Sequence, residues 1–429
     1  MNGDFFAVAI AGGILAFLTP CVFPLLPVTL AYFGKGGDES PNRSRAGWFA
    51  AGIVVSFTLL GLAIAVIFGA SGVSRFAANP KVNLALAAIF IFFALNLFGV
   101  FELPIPSSWL TRAVNSSNNT DARSAGGAAL LGAVFSLTSL TCTAPFVGSL
   151  LVMAARGERW QPLTGMLLFS AAFALPFYLL ARAPRLLDRI PKAGEWIHTL
   201  RVCVGVIELA SAVKFVANAD VVSNWGIVTR AVVLYSWMAL ALALMLYLAW
   251  RATRGTTRLA NSIGGFAFGA LAIVLLTAAK GKSFGAIEPY LPPDRNATAT
   301  NGADEQWILN DYARALASAR VARKPVFVDF TGYTCTNCRW MESHIFNRPE
   351  VRAELSGFVL SRLYTDGEGK MFEDQQSFQE KQFGTVALPL YAVVDANGKM
   401  LATQSGISSS PPEFIAFLRA AHARLLAER

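Results

Sequence analysis

The sequence predicts an α-helical domain that crosses a membrane several times, followed by a smaller α/β domain. Of its 429 residues, 54% are hydrophobic and 15% are charged, whereas soluble domains carry roughly 25% charged residues. Apolar runs of about 20 residues, the length that crosses a hydrocarbon core, recur up to residue 280, and globular composition follows. We therefore expect a transmembrane domain over 1–280, a flexible linker over 281–303 and a soluble domain over 304–429.

Apolar runs between polar loops predict eight transmembrane helices. The predicted spans are 5–33, 46–70, 81–101, 125–155, 162–181, 196–218, 228–250 and 262–280. The first run has neither a basic segment before it nor a small-residue cleavage site after it. We therefore expect a retained first span rather than a removed signal peptide.

Basic residues are concentrated in alternate loops of this predicted topology. The richer set holds Lys35, Arg43, Arg45, Arg112, Arg123, Arg182, Arg185, Arg189, Lys192, Arg251, Arg254 and Arg258. Because Lys and Arg resist translocation, these loops are expected in the cytoplasm, with the N-terminus and the C-terminal domain outside. In a bacterium, this predicts a multi-pass inner-membrane protein with its soluble domain in the periplasm. The same loops explain the net charge of +9, so the expected partner is the lipid bilayer and not a nucleic acid.

Two membrane segments contain a cysteine beside proline, in "LTPCVFPLLP" and "LTCTAPFVGSLL". The three-span separation predicts a fold of the inverted-repeat type, with broken helices at the functional site. Pro20 and Pro24 flank Cys21, and Pro145 follows Cys142. Proline lacks an amide hydrogen and interrupts a helix, and freed backbone groups are tolerated only in protein or in a water-filled cavity. We therefore expect a cavity around Cys21.

Cys335 and Cys338 form a Cys-x-x-Cys unit between the strand-like "PVFVDF" and the helical "RWMESHIF". This is a thioredoxin-like context, in which the N-terminus of a helix lowers the pKa of the first thiol. The alternative is half of a zinc site, but no second Cys-x-x-Cys or pair of His lies nearby. We therefore expect a redox dithiol with Cys335 attacking and Cys338 resolving, and neither a metal nor another cofactor.

The other cysteines are harder to interpret one by one, because a lone Cys in a membrane helix is usually a small hydrophobic residue. Cys21 and Cys142 together, each beside proline in corresponding halves, indicate a second dithiol. Cys203 has neither a neighbouring proline nor a partner cysteine and is assigned to packing. Glu208, midway through the sixth span, is costly in lipid and is therefore a functional candidate. It would accept a proton near the membrane cysteines, bond a broken helix, or pair structurally with Lys214.

The soluble region alternates between helical and strand-like segments, which predicts a sheet covered by helices. The helices are "EQWILNDYARALASA", the segment with the cysteines and "PPEFIAFLRAAHARLL"; the strands include "PVFVDF", "FVLSRLY" and "KMLATQ". The acidic stretch "TDGEGKMFEDQQSFQEKQFG" is long for a connection.

In a thioredoxin-like fold Asp329 would lie beneath the thiols. Glu342 either faces the same region, where a raised pKa would permit proton exchange with Cys338, or is a solvated helix residue. Pro389 stands where such folds carry a cis-proline that helps to recognise partners.

Five motifs carry a family resemblance: "LTPCVFPLLP", "CTAP", "ALPFYLL", "PKAGEWIHTLRVCVGVIELA" and "VFVDFTGYTCTNCRWMESHIF". Together they resemble the DsbD family of thiol:disulfide interchange proteins. The membrane part of that family is related to the cytochrome c biogenesis protein CcdA. The resemblance implies that Cys21 and Cys142 form a reversible membrane disulfide, reduced by cytoplasmic thioredoxin. It also implies that Cys335 and Cys338 take the electrons outside and pass them to oxidised periplasmic proteins, including those of cytochrome c maturation or disulfide isomerisation.

The sequence departs from the family pattern at two points. Family members often carry an N-terminal immunoglobulin-like domain, whereas the first span here begins near Met1, so the acceptor is expected to be a separate protein unless the chain is a fragment. Thr334 replaces the tryptophan that often precedes the cysteines of thioredoxin-like folds, which affects redox potential. The expected activity is protein-disulfide reductase; the alternatives are a quinone-linked disulfide oxidoreductase and a solute transporter with a thioredoxin-like regulatory domain.

Overall fold

The computed structural model describes residues 2–17, 39–100, 126–136, 139, 161–182, 195–254, 258–281, 285, 287–292, 307–408 and 410–427. These residues fall into two compact units. The first unit comprises 1–73, 88–212 and 247–263, and the second comprises 74–87, 213–246 and 264–429.

Eight helices are described before the soluble region, and each overlaps one of the eight predicted spans. They are α1 (Asn2–Phe17), α2 (Glu39–Ala78), α3 (Pro80–Leu97), α4 (Gly126–Ser136), α5 (Gln161–Arg182), α6 (Glu195–Ser223), α7 (Arg230–Arg254) and α8 (Arg258–Ala279). Among the described helices, four contain a stretch long and apolar enough to cross a membrane: Ala46–Ala63 within α2, and α3, α7 and α8. The chain therefore has a helical membrane domain.

Glycines allow the helices of the first unit to pack backbone against backbone. A Cβ atom on Gly13 of α1 would strike the carbonyl oxygen of Phe169 in α5, and one on Gly132 of α4 would strike that of Phe49 in α2. In lipid, where the surroundings are as apolar as the helix surfaces, such small-residue contacts and interhelical hydrogen bonds drive association. The hydroxyl of Ser136 contributes one such bond to the carbonyl of Ile53, at 3.4 Å. The core of this unit is aromatic and includes Phe49, Phe57, Phe135, Phe169, Phe173 and Phe177.

The soluble region of the second unit contains a five-stranded mixed sheet. Its strands are β1 (Trp307–Leu309), β2 (Val326–Thr331), β3 (Val359–Tyr364), β4 (Leu390–Val394) and β5 (Met400–Ser405). They lie in the order β1-β3-β2-β4-β5, with β1, β3 and β2 parallel and β4 and β5 antiparallel to their neighbours. The central strand β2 is buried along its whole length, as expected for a strand covered on both faces.

Helices cover both faces of this sheet. They are α9 (Tyr312–Ala322), α10 (Thr336–Met341), α11 (Pro349–Leu355), α12 (Lys370–Phe383) and α13 (Pro411–Ala427), and α10 continues as a π-helical segment, Glu342–Phe346. Successive side chains of a strand point to opposite faces. Phe327 accordingly packs with the residues of α10, α11 and α13, whereas Val328 and Phe330 pack with those of α9 and α12.

Two features of the soluble region differ from the sequence prediction. The segment 305–319 was predicted to be a single helix, but Trp307–Leu309 pairs with β3 and the helix begins only at Tyr312. The break has a local cause: Asn310 has a left-handed φ of 54°, and the side chain of Asp311 caps α9 by accepting from the amide of Arg314. The acidic connection after β3 contains a full helix, α12. Strands β2, β3 and β5 and the last helix are confirmed.

Candidate active site

Cys335 and Cys338 lie at the start of α10 and are bonded as a disulfide, with their Cα atoms 5.3 Å apart. Cys335 caps the helix, and its sulfur accepts a hydrogen bond of 3.1 Å from the amide of Cys338. Cys338 is only 1% exposed, whereas Cys335 is partly accessible. A helix N-terminus stabilises a thiolate, so the geometry favours Cys335 as the thiol that meets partner sulfurs.

The turn that leads into the cysteines is held by a carboxylate that the sequence analysis did not single out. Asp366, 6% exposed, accepts hydrogen bonds from the amides of Tyr333 and Thr334, at 2.7 and 2.9 Å, and from the Thr334 hydroxyl at 3.0 Å. Burial raises the pKa of the Asp366 carboxyl above its ordinary value, although these three bonds favour the ionised form. Thr334, where related folds often carry tryptophan, is thus bonded to a buried acid.

A network of four charged side chains joins α10 to strands β2 and β3. Asp329 on β2 is in register with Arg362 on β3, and the guanidinium donates to the carboxylate at 2.9 Å. Glu342 reaches the same group, 2.7 Å from Arg339 and 3.6 Å from Arg362. Glu342 is therefore paired within the network rather than simply solvated. Neither arginine was predicted from the sequence. The pairing of Arg362 with Asp329 depends on the register between two strands, whereas Arg339 and Glu342 are three residues apart along one helical stretch, a spacing that could have indicated the pair.

Burial and the charges of the network together set the pKa of Asp329. Burial raises the pKa of the Asp329 carboxyl to about 6, although the neighbouring Arg362 favours the ionised form. Burial alone would lower the pKa of Arg362, but Glu342 and Asp329 raise it above its ordinary value, so the guanidinium remains charged. Asp329 can therefore gain or lose a proton near neutral pH beside a permanent cation.

Pro389 begins the segment that leads into β4. The Leu388–Pro389 peptide bond is cis, the geometry that thioredoxin-like folds carry at this position. The carbonyl oxygen of Pro389 accepts a hydrogen bond of 2.8 Å from the amide of Gly406. Its part in partner recognition remains a prediction. Within the part of the chain that the structure describes, no group of three or more His, Cys, Asp or Glu residues is placed to hold a metal ion.

Comparison with known proteins identifies the family. The chain is 31% identical over 369 residues to thiol:disulfide interchange protein DsbD 2 of Pseudomonas aeruginosa, covering 82% of this chain and 60% of the relative. It is 30% identical over 400 residues to DsbD of Cronobacter sakazakii, covering 90% and 64%. The cytochrome C biogenesis protein transmembrane domain matches residues 5–219, and a thioredoxin-like domain matches residues 307–396. The chain belongs to the DsbD family.

The chain spans about 60 to 64% of the length of these DsbD relatives. The match confirms the resemblance inferred from the motifs and the two-part organisation of a membrane domain followed by a thioredoxin-like domain. The predicted membrane site of this DsbD-family chain lies outside the described residues. That site comprises Cys21, Cys142, Pro20, Pro24 and Pro145.

The described part of the DsbD membrane domain contains the predicted candidate Glu208 in α6. Its side chain is fully buried, and neither carboxylate oxygen has a hydrogen-bond partner among the described residues. Lys214, the structural partner considered from the sequence, instead donates to the carbonyl oxygen of Tyr290 at 3.0 Å. Cys203 in the same helix is a free, half-buried thiol. A buried acid without a described partner in a membrane helix keeps Glu208 a functional candidate.

Part of the predicted linker is packed against the helices of the second unit. Glu288 forms a bidentate ion pair with Arg230 at the start of α7, at 2.6 and 2.7 Å. Leu291 is buried in a cluster with residues of α6, α7 and α8. The single turn Glu288–Tyr290 also contacts α10, the helix with the two cysteines. The segment after α8 therefore has a fixed attachment before the chain continues into the thioredoxin-like domain.

Proposed function

We propose that the chain is a transmembrane protein-disulfide reductase. It relays electrons from cytoplasmic thioredoxin through the Cys21–Cys142 pair to the Cys335–Cys338 pair, and from there to oxidised periplasmic proteins. One observation carries the proposal: an accessible Cys335 and a buried Cys338, bonded at the start of α10, share a chain with the DsbD transmembrane domain. The disulfides are proposed as the redox groups, without a further cofactor.

The first half of the proposed cycle reduces the Cys335–Cys338 disulfide. A membrane thiolate attacks the accessible sulfur of Cys335, the Cys335–Cys338 bond breaks, and Cys338 leaves as a thiolate that takes up a proton. The second membrane thiol then attacks its neighbour in the mixed disulfide and releases Cys335. Two electrons and two protons have moved outward, and the membrane pair is left as a disulfide for thioredoxin to reduce.

The second half reverses these roles. The Cys335 thiolate, stabilised by the amide of Cys338, attacks a disulfide of the acceptor and forms a mixed disulfide. Cys338 then attacks Cys335, which re-forms the internal disulfide and releases the reduced acceptor. Since a thiol attacks only as its thiolate, Cys338 must lose a proton inside the protein. Asp329, with a pKa of about 6, is proposed to accept it, with Glu342 and the two arginines stabilising the charge.

The proposal includes the architecture predicted from the sequence: eight spans, domain boundaries at 280 and 303, and both chain ends in the periplasm of a bacterial inner membrane. An inverted repeat of helices 1–3 and 4–6 is supported by the packing of the first unit. In that unit α1 packs on α5, and α4 packs on α2. In such a repeat α1 corresponds to α4 and α2 corresponds to α5, so the two pairs are equivalent.

The redox state of Cys335 and Cys338 in cells tests the proposed relay. In a host that lacks other membrane thiol reductases, acid trapping and thiol alkylation should find this pair largely reduced in the wild type. Cys21→Ala and Cys142→Ala should each leave it oxidised, whereas the matched control Cys203→Ala should keep it reduced. Reduction that persists in Cys21→Ala contradicts the relay and is what a transporter with a thioredoxin-like regulator predicts.

Thioredoxin dependence tests the donor separately. If cytoplasmic thioredoxin supplies the electrons, deleting it from the host should leave the Cys335–Cys338 pair oxidised even in the wild-type chain. A quinone-linked oxidoreductase would keep its redox state without thioredoxin and would respond to quinone depletion. The acceptors can be identified with Cys338→Ser, which should trap mixed disulfides on Cys335.

A further inference from the structure

The carboxylate of Asp366 is surrounded by the backbone that delivers Cys335. Its Oδ1 accepts from the amide of Tyr333, and its Oδ2 accepts from both the amide and the hydroxyl of Thr334. The turn closes around it, because the amide of Cys335 donates to the carbonyl oxygen of Gly332 at 3.3 Å. Three donors from the two residues before a reactive cysteine therefore converge on one buried acid that lies 32 and 33 residues away along the chain.

Two further contacts show that this approach is specific. A Cβ atom at Gly332 would lie 2.6 Å from Oδ2 of Asp366, so the backbone can come this close only because residue 332 is glycine. The ring of Tyr333 stacks on that of Tyr364 at 4.0 Å between centroids, two residues before Asp366. The turn before Cys335 is thus fixed to the end of β3 through both a side-chain stack and a carboxylate.

Asp366 accepts hydrogen bonds from Thr334, the residue before Cys335, so we expect its negative charge to oppose the effect of the helix amides on the Cys335 sulfur. The amide of Cys338 favours a thiolate on Cys335, whereas a buried carboxylate beside the preceding residue disfavours it. The positive charge of Arg339 favours the ionised form of Asp366, but this arginine also pairs with Glu342 at 2.7 Å. The carboxylate is therefore only partly neutralised.

We propose that Asp366 is a positioning residue for Cys335 whose negative charge makes the Cys335–Cys338 pair a stronger reductant. A dithiol is oxidising when its reduced form is stabilised. By destabilising the Cys335 thiolate, Asp366 favours the disulfide and promotes donation of electrons to an acceptor. This inference rests on the proposed thiol–disulfide function, but it concerns an equilibrium that can be measured without donor or acceptor proteins.

The test is the equilibrium of the purified full chain with glutathione at pH 7. Two glutathione thiols give two electrons and two protons to the Cys335–Cys338 disulfide and become glutathione disulfide. Differential alkylation and mass spectrometry of the peptides read out this pair alone. Asp366→Asn should shift the equilibrium about tenfold toward the dithiol, equivalent to about 30 mV. It should also speed alkylation of Cys335 at pH 6 about tenfold, because more of the thiol is ionised.

Two controls separate charge from simple loss of contacts. Thr334→Val removes one hydrogen bond without removing the carboxylate and should shift the equilibrium less than Asp366→Asn does. Asp374→Asn removes the same charge from an exposed site on α12 and should change nothing. If Asp366→Asn fails to fold, Asp366→Ser repeats the loss of charge and leaves room for water to take the amide hydrogen bonds.

The outcomes are distinct from those of the relay test. A tenfold shift toward the dithiol in a neutral Asp366 variant supports the proposal even if the electron donor has been assigned wrongly. A shift no larger than that of Asp374→Asn, or a shift toward the disulfide, overturns it. Lower thermal stability with an unchanged equilibrium shows that Asp366 serves the fold alone and also overturns it.

Discussion

Replacing Asp329 by Asn separates the chemical role of this buried carboxyl from its effect on folding. The folded pKa of about 6 lies roughly two units above the ordinary value of 3.8, and each unit corresponds to 1.36 kcal/mol. The folded state thus binds the proton more tightly than the unfolded state does. The ionisation of Asp329 should therefore lower the free energy of unfolding by about 2.4 kcal/mol as the pH rises from 4 to 7, the remainder of the effect lying below pH 4.

The Asn variant should lack this dependence on pH. Urea unfolding of the oxidised, detergent-solubilised chain, followed by near-ultraviolet circular dichroism at pH 4, 5, 6 and 7, measures both proteins under the same conditions. The difference in unfolding free energy, variant minus wild type, should become more positive by about 2.4 kcal/mol between pH 4 and 7. Titrating groups that do not interact with Asp329 are common to both proteins and cancel in the difference.

The same variant should lose activity. Without a proton acceptor for Cys338, the rate at which the reduced chain reduces a model disulfide should fall roughly 100-fold or more, the usual contribution of general acid–base catalysis. A difference in unfolding free energy that is constant from pH 4 to 7 would show that Asp329 does not titrate near 6 in the folded protein. An unchanged exchange rate would remove its role as the proton acceptor.

Two further predictions concern the membrane domain. Gly132→Ala forces a Cβ atom against the backbone of Phe49 and should lower the midpoint of thermal unfolding by about 5 °C. The control Gly47→Ala, which has no atom within 4 Å of the new Cβ, should leave the midpoint unchanged. Equal midpoints for the two variants contradict the close packing. Glu208→Gln should slow reduction of the Cys335–Cys338 pair about tenfold at normal expression, measured by alkylation trapping; unchanged reduction shows that Glu208 is structural.

The strands and helices of the soluble domain could be predicted where the signal was local. Neighbouring residues determine the structure of the buried run "PVFVDF" and of the turn "DANG". In that turn, Asp395 accepts hydrogen bonds from the amides of Asn397 and Lys399. Trp307–Leu309 does not. Its three residues form a strand only because β3 offers a parallel edge more than 50 residues later, and in isolation they continue a helical pattern.

The same distinction explains the candidate site. Cys335, Cys338 and Asp329 could be predicted because the motif places them within ten residues. Arg362 could not, since its pairing with Asp329 follows from the register between β2 and β3. Asp366 lay in an acidic stretch without a local signal, and its partners are more than 30 residues away. The helical membrane domain could be predicted because lipid requires long apolar helices, which leave apolar runs in the sequence.

The ion pair between Glu288 and Arg230 has a consequence for the rate of electron delivery. Trp307 lies 16 residues after the anchored Leu291 in the sequence, so the two can be at most roughly 55 Å apart. A reactive group kept within that radius has an effective concentration on the order of millimolar. In the proposed relay, the Cys335–Cys338 pair would therefore be a tethered reactant for a membrane thiol, whereas soluble disulfides would compete for it at their own bulk concentrations.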